Sequence, residues 1–318
     1  MLVSSSSYRR LFLCVLCDLI AASGFAQTAQ PSRAQGAAKT STHSASAQKS
    51  RGTQAKRPIP PGMALDQDVK FKDYEVRTYR GSTVGNDAAF EVLKGGKKVF
   101  EKSDREAQKY CVGCINADDD ANALVKPGID ITGQGKPNLV VSMWTGGAHC
   151  CFSYNILELG DEVKEIGEIN AGHSDVCRFR HERDGRVDFI VSDWTFAYWH
   201  ASFAESPAPD VILRYEPGGY KVAADLMRRS APSEEEFKQL VGKGRHLKLD
   251  QDGWPASAFW ETMLDLIYAG NSDLAWKFCD LAWPGDKRKK AEFLAEFRAQ
   301  LAQSRYYPAL RSLGKQVR

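Results

Sequence analysis

The sequence predicts an α+β chain: an N-terminal all-β domain over residues 63–228, followed by a small helical bundle over 229–318. Three observations predict it. Apolar residues recur with period two from Val69 to Val222, the spacing becomes helical after Ser230, and the stretch ahead of both is too polar to fold.

The first residues carry Arg9 and Arg10, then an apolar run from Leu11 to Leu16, then small residues ending in Gly24, Phe25 and Ala26. This is the pattern of a cleavable secretory signal over 1–26, and it places the mature chain in the periplasm or outside the cell. Residues 27–62 contain no acidic and no aromatic side chain, so they cannot bury enough surface to offset chain entropy and read as a disordered linker. The linker holds Arg33, Lys39, Lys49, Arg51, Lys56 and Arg57. Setting these aside with Arg9, Arg10 and Asp18 turns the formal charge of +3 into −4 for residues 63–318. The folded part is thus mildly acidic, which removes the electrostatic basis for nucleic-acid binding. No later run is apolar enough for a transmembrane helix.

In the β-half, Tyr74, Val76 and Thr78 alternate with charges, Phe152, Tyr154 and Ile156 alternate with polar residues, and Val187, Phe189 and Val191 recur at every second position. Leu139 to Val141 and Val211 to Leu213 are continuous apolar runs, as in strands buried on both faces. Turns are marked by Gly95 and Gly96, Gly133 to Gly135, Asp184 with Gly185, and Pro217 to Gly219. In the helical half, Ser233 with Glu236 makes a capping box. Pro255 suits a helix start before the stripe Trp260, Met263, Leu264 and Ile267, which Gly270 ends. Leu274, Phe278 and Leu281 form a stripe stopped by Pro284, and Asp286 caps one made of Phe293, Leu294, Phe297 and Leu301.

Gly135–Thr145 aligns with Gly185–Thr195 at an offset of 50, with five of eleven positions identical, the period of a propeller blade or a duplicated meander. The loop from Asp130 to Val141 resembles the FG-GAP (VCBS-like) repeat of extracellular proteins, whose loop reads Asp-x-Thr/Asp-Gly-Asp-Gly-x-x-Asp-Leu. The continuation Thr145, Gly146, Gly147, Ala148, His149, Cys150, Cys151 resembles a signature of exported bacterial proteins with no assigned activity. The resemblance implies a propeller-like or sandwich β domain and a loop able to take calcium. Calcium needs about 6–8 oxygens, several of them carboxylates. The first copy offers Asp130, Thr132, Gln134 and Asn138, and the second Glu182, Asp184 and Asp188, with Arg180, Arg183 and Arg186 crowding it. Calcium binding is therefore expected to be weak, the loops serving mainly as Asx turns, and no other cofactor is expected.

Cys111, Cys114, Cys150, Cys151, Cys177 and Cys279 follow the signal, an even number that reads as disulfides in an oxidising compartment. On a strand Cys150 and Cys151 would face opposite ways, so each is expected to reach a different partner, one of them in the Cys111/Cys114 segment. Cys279 clamps the halves or stays buried and free. A competing reading makes Cys111, Cys114, His149, Cys150 and Cys151 a zinc or thiol-redox site. Trp194, Phe196, Tyr198, Trp199 and Phe203 are the densest aromatic cluster, and Trp144, His149, Trp194, Tyr198 and Trp199 are the ligand-binding candidates. No short catalytic motif occurs. The expected function is an exported, non-catalytic binding or structural module for an envelope or extracellular ligand, with no catalytic residue assigned. An envelope-acting hydrolase using His149 with Asp175 or Asp193 is the alternative. Ligand and oligomeric state are left open.

Overall fold

A computed structural model describes residues 59, 61–81, 87–112, 125–147, 150–173 and 178–313. The signal-like segment, nearly all of the linker, and Cys114, His149, Asp175 and Cys177 lie outside them. Twelve strands are described: β1 (Ala64–Phe71), β2 (Tyr74–Arg80), β3 (Ala88–Lys94), β4 (Lys97–Asp104), β5 (Lys109–Val112), β6 (Asn138–Trp144), β7 (Phe152–Glu158), β8 (Lys164–Gly172), β9 (Arg178–His181), β10 (Val187–Ser192), β11 (Asp210–Glu216) and β12 (Gly219–Val222). They form three consecutive antiparallel meanders of four strands each, β1–β4, β5–β8 and β9–β12. The turns are as the glycines require. Gly95 and Gly96 join Lys94 to Lys97 with φ of 56° and 78°, a conformation that closes a two-residue hairpin and suits residues without a β-carbon.

The aligned segments occupy equivalent places, since β6 and β10 are each the second strand of their meander. The middle meander is buried on both faces. Leu139, Val141 and Met143 of β6 join Tyr74, Val76, Phe90 and Val92 of the first meander in one apolar cluster. Val140, between them, joins Tyr154, Ile156, Phe189 and Val211 in the other. Leu139 to Val141 thus reads as it should for a doubly buried strand, because successive side chains alternate faces. In β7 the alternation predicted between apolar and solvent-facing residues fails. Ser153 and Asn155 are buried too, and Asn155 is satisfied by Nδ2 donating to the Val141 carbonyl at 3.1 Å and Oδ1 accepting from Lys102 at 2.5 Å. Lys102 also bonds Glu165 at 2.6 Å, stapling β4 to β7 and β8.

Six helices follow: α1 (Ala224–Met227), α2 (Glu234–Arg245), α3 (Ala258–Tyr268), α4 (Ser272–Ala282), α5 (Lys287–Leu301) and α6 (Tyr307–Leu313). The Ser233/Glu236 capping box opens α2, and the Asp286 side chain caps α5 through the Lys289 N–H. Two expectations need correction. Pro255 does not start α3: it lies in a bridge with Leu249, and the helix begins three residues later. Leu281 is 44% exposed, and the buried stripe of α4 is Ala275, Phe278, Cys279 and Ala282, because the helix turns a different face to its neighbours. α6 has no counterpart among the expected elements.

The β-half and the helices share one core. Phe189, Val191, Phe196 and Val211 cluster with Phe259, Trp260, Phe278, Phe293 and Phe297. Each such side chain removed from water contributes about 1.5–3 kcal/mol. Asp193, just past β10, sits at the seam and is 4% exposed. Its Oδ2 accepts from Tyr268 Oη and Ser304 Oγ, both at 2.5 Å, and its Oδ1 from Thr195 N at 3.0 Å and Thr195 Oγ1 at 2.5 Å. A buried carboxylate is tolerated only when so fully partnered. Burial first, and then the Asp193 charge, drives the Tyr268 phenol above its ordinary 10.0.

Tyr268→Phe removes one charge-assisted donor and should cost about 1.5–3 kcal/mol in urea unfolding at pH 7. The pH dependence has a defined sign. Burial pushes the Cys279 thiol from 9.0 up to about 12, and Tyr268 is raised from 10.0. The unfolded chain therefore loses these protons first. Their stabilisation is complete below pH 9 and falls as pH rises through 9–12. Tyr268→Phe should flatten that decline above pH 10; an unchanged slope would remove Tyr268 as its cause.

Candidate functional site

The ends of β6, β7 and β8 carry a row of aromatic rings. Trp144 pairs with Phe152 across β6 and β7, and Phe152 pairs with Gly172 across β7 and β8. Directly paired residues share a face, and the Trp144 and Phe152 rings stack with centroids 6.2 Å apart at 12°. Gly172, at φ 59°, contributes no side chain. Trp194 fills the space instead, its Cδ1 lying 3.3 Å from where a β-carbon would be. Trp194 stacks on Phe203 at 5.0 Å and 15°, Tyr198 lies 5.5 Å from Phe203, and His173 edges both Trp194 (5.5 Å) and Phe203 (5.3 Å). Trp144, Phe152, Trp194 and Phe203 are each half-buried, and Tyr198 is 57% exposed.

The turn bearing Trp194 and Tyr198 is held from beneath. Asp193 caps it through Thr195, and Gln300 Nε2 donates to the Thr195 carbonyl. Tyr198 has φ 60°, a left-handed conformation that costs a residue with a β-carbon about 1–2 kcal/mol. Its N–H donates to Ser206 Oγ at 2.9 Å, and Ser206 Oγ donates to the Ser202 carbonyl at 2.9 Å. The backbone is thus fixed in a costly state that leaves the large tyrosine ring in solvent.

The glycine–cysteine signature adjoins this row. Gly146, at φ 88°, packs against Gln108, and the Cys150 carbonyl occupies the space a β-carbon on Gly147 would need. Thr145 N donates to the Cys151 carbonyl at 3.1 Å, Cys151 N to Thr145 Oγ1 at 2.7 Å, and Trp144 Nε1 to the Gly147 carbonyl at 3.2 Å. Cys150 and Cys151 adjoin each other across a cis peptide. They precede β7 rather than lie in it, so strand alternation does not separate them. Cys279 is buried and free. No three His, Cys, Asp or Glu side chains gather to hold a metal among the described residues, which weighs against the zinc reading. His149, the proposed fifth ligand, lies outside them, as do Cys114 and Cys177.

Most of the calcium-candidate residues are bonded to protein partners. Asp130 accepts from the N–H groups of Thr132 (3.0 Å), Gly133 (2.8 Å) and Gly135 (2.7 Å), and from Thr132 Oγ1 at 3.1 Å. Desolvation opposes the Asp130 charge, but these hydrogen bonds outweigh it and hold the carboxyl below its ordinary 3.8. Asn138 Oδ1 accepts from Ile131 N at 2.9 Å, while Gln134 is exposed. Asp188 is fully buried in a bidentate pair with Arg214 (3.0 and 2.7 Å), Glu182 pairs with Arg180 at 2.7 Å, and Asp184 accepts from Arg186 Nε at 2.7 Å. The two loops meet: Val187 N donates to the Ile131 carbonyl at 2.9 Å, and Arg186 covers Gly133, where a β-carbon would come within 2.5 Å of its Cγ.

Two sequence candidates leave the site. Trp199 turns inward, its ring 5.1–6.1 Å from those of Phe196, Trp254, Trp260, Phe293 and Phe297, so it belongs to the shared core. Asp193 has both oxygens occupied and serves as no general base. Phe152 and Phe203 are the members of the row that the sequence does not mark as ligand-binding candidates; the position of Phe152 directly after Cys151, and that of Phe203 within the aromatic cluster, are the signals that find them. A separate cleft of about 440 Å³ lies between the 229–232 segment, α2 and α3, lined by Arg229, Glu236, Thr262, Asp265 and Asn271. Glu236 there is committed to its capping box.

Asp130→Ala should destabilise by about 1–2 kcal/mol, because three backbone N–H groups lose their acceptor. Millimolar calcium should move the wild-type Tm by less than about 1 °C, as expected when the ligand stays below its Kd. A shift of several degrees that Asp184→Ala abolishes would show instead that the loops bind the ion.

No family model and no solved structure matches the chain. It is similar to the uncharacterized protein y4bJ of Sinorhizobium fredii (strain NBRC 101917 / NGR234), with 28% identity over 143 residues. The match covers 44% of this chain and 22% of that protein, so this chain spans only a small part of its relative's length.

Proposed function

We propose that this chain is an exported, non-catalytic binding module whose β-half presents the row Trp144, Phe152, Trp194, Phe203 and Tyr198 to its ligand. One observation carries the reading: Tyr198 is 57% exposed while its backbone is held at φ 60° by Ser206. A fold gains no core from an exposed ring in a strained conformation, and such strain concentrates where a side chain must be presented. Aromatic side chains that are large, rigid and partly exposed are what binding surfaces use. On this reading the β6 and β10 meanders are diverged FG-GAP-like units, supported by their equivalent second-strand positions and by the contact between their loops. Export rests on the signal-like N-terminus and the basic linker. Among the described residues no helix is long and apolar enough to cross a membrane, in keeping with a module displayed outside one.

Tyr198→Gly separates presentation from structure. Glycine adopts φ 60° freely, so the variant should match or exceed wild-type stability by up to about 1 kcal/mol. It should still lose most of its sedimentation with isolated cell envelopes, since a central aromatic anchor is worth about 2 kcal/mol or more. A destabilised variant that sediments like wild type would make Tyr198 a structural residue and end this reading.

A further inference from the structure

We infer that the cleft between the 229–232 segment, α2 and α3 binds an amino acid with an apolar side chain, its ammonium group on Asp265 and its carboxylate on Arg229. The site shares no residue with the aromatic row, so the two readings stand independently. Helical periodicity builds the cleft. Thr262, Asp265, Leu266 and Ala269 line it at the i, i+3, i+4 and i+7 spacing that puts them on one side of α3. Glu236 and Leu240, four residues apart on α2, line the wall across from them. Its volume of about 440 Å³ is in the range that small ligands use.

Two opposite charges are held apart in it. The Arg229 backbone is pinned on both sides: its N–H donates to the Ala269 carbonyl at 3.1 Å, and its carbonyl accepts from Asn271 Nδ2 at 3.3 Å. The guanidinium nevertheless closes no ion pair among the described residues, and the Asp265 carboxylate accepts no hydrogen bond there, although each feels the other's charge. Asp265 is badly placed for a carboxylate with only a structural role. It lies in the last turn of α3, where the helix dipole is negative, and no basic residue shares that turn. Desolvation opposes its charge most, Arg229 favours it, and Glu261 and Asp210 oppose it again, so the carboxyl rises above its ordinary 3.8. A cation set beside it offsets both the repulsion and the dipole.

The charges select the class of ligand. A bare anion would meet both Asp265 and Glu236, and the Ser233 N–H holds the Glu236 carboxyl below its ordinary 4.5, in the ionised form. A bare amine would meet the unpaired Arg229 guanidinium. A zwitterion answers both. Asn271 Oδ1, which caps no helix, is a further acceptor for the ammonium group. Leu240, Leu266 and Ala269 supply the apolar wall against which a hydrocarbon side chain leaves water. An α-amino acid carries both charges and that side chain on a single carbon.

The test is a saturation-transfer NMR titration of the full chain with L-valine, L-leucine and L-methionine. For the amino acid that binds, the analogues lacking its ammonium group or its carboxylate are titrated next; for leucine these are 4-methylpentanoate and 3-methylbutylamine. The expected result is saturable binding at millimolar concentration or below. Asp265→Asn, Arg229→Gln and each analogue should weaken it about tenfold or more, the worth of one charge-assisted contact. Circular dichroism of both variants should be unchanged, since neither side chain holds a contact inside the fold. Binding that both variants retain would put the ligand elsewhere and overturn the inference. Equal binding of the amine and the amino acid, indifferent to Arg229→Gln, would make the cleft a cation site and overturn the zwitterion. No transfer to any amino acid of the set at millimolar concentration overturns it outright.

Discussion

Burial of the middle meander on both faces is the constraint on which the rest of the structure depends. Side chains on a strand alternate, so Leu139, Val141 and Met143 must find one apolar neighbour and Val140 another. The first meander supplies one. The third meander, with the helices behind it, supplies the other. Polar residues that fall inside this stack, Asn138 and Asn155, are kept there only by specific partners, Ile131 N and Lys102 Nζ among them. The helical half shares this core: Phe297 and Trp260 complete a cluster begun by Phe189 and Val211.

That stack also explains where the exposed chemistry sits. With both faces of the middle sheet consumed, the strand ends and their connections are what remain to carry function. The glycine–cysteine segment and the Trp194–Phe203 turn both emerge there, one from the second meander and one from the third. Phe152 pairs with Gly172, the one position in that row without a side chain, and Trp194 from the third meander packs over that glycine. Asp193 links the two levels, since the carboxylate that caps the aromatic turn also receives Tyr268 and Ser304 from the helical half.

Much of this was legible in the sequence. The doubly apolar run Leu139 to Val141, the Gly95–Gly96 hairpin, the capping box at Ser233 and the Asp286 cap all follow from local periodicity and turn chemistry, and all are found. What was not legible depended on which residues meet across long separations. Period two could not reveal that Ser153 and Asn155 would be buried in β7, because their partners come from other strands. The aromatic cluster was visible as composition, but its division into an inward Trp199 and outward Trp194 and Tyr198 is set by a turn with left-handed residues at 198 and 200. The loops showed too few carboxylates for a strong cation site; that Arg214 and backbone N–H groups would take up those remaining could not be read from spacing. Cys150 and Cys151 would face opposite ways on a strand, but β7 begins just after them, at Phe152, a boundary that period two does not mark.

The shared core has a consequence for the order in which the chain can complete itself. Synthesis delivers the N-terminal end first. The first meander can bury its apolar face as soon as β5 to β8 have followed, since their common cluster closes at Val163. The third meander can pack early on the middle one, where Val140, Tyr154 and Ile156 cluster with Phe189 and Val211, but its core is completed only later. Phe189, Val191, Phe196 and Val211 also share that core with Phe259, Phe293 and Phe297, the last of them about a hundred residues further on, and until the helices arrive part of it stays open as a sticky surface. A premature stop anywhere in the helical half would leave that surface permanently open. Damage near the C-terminus of this protein should therefore appear first as aggregation during biosynthesis, before any loss of binding by molecules that had already folded.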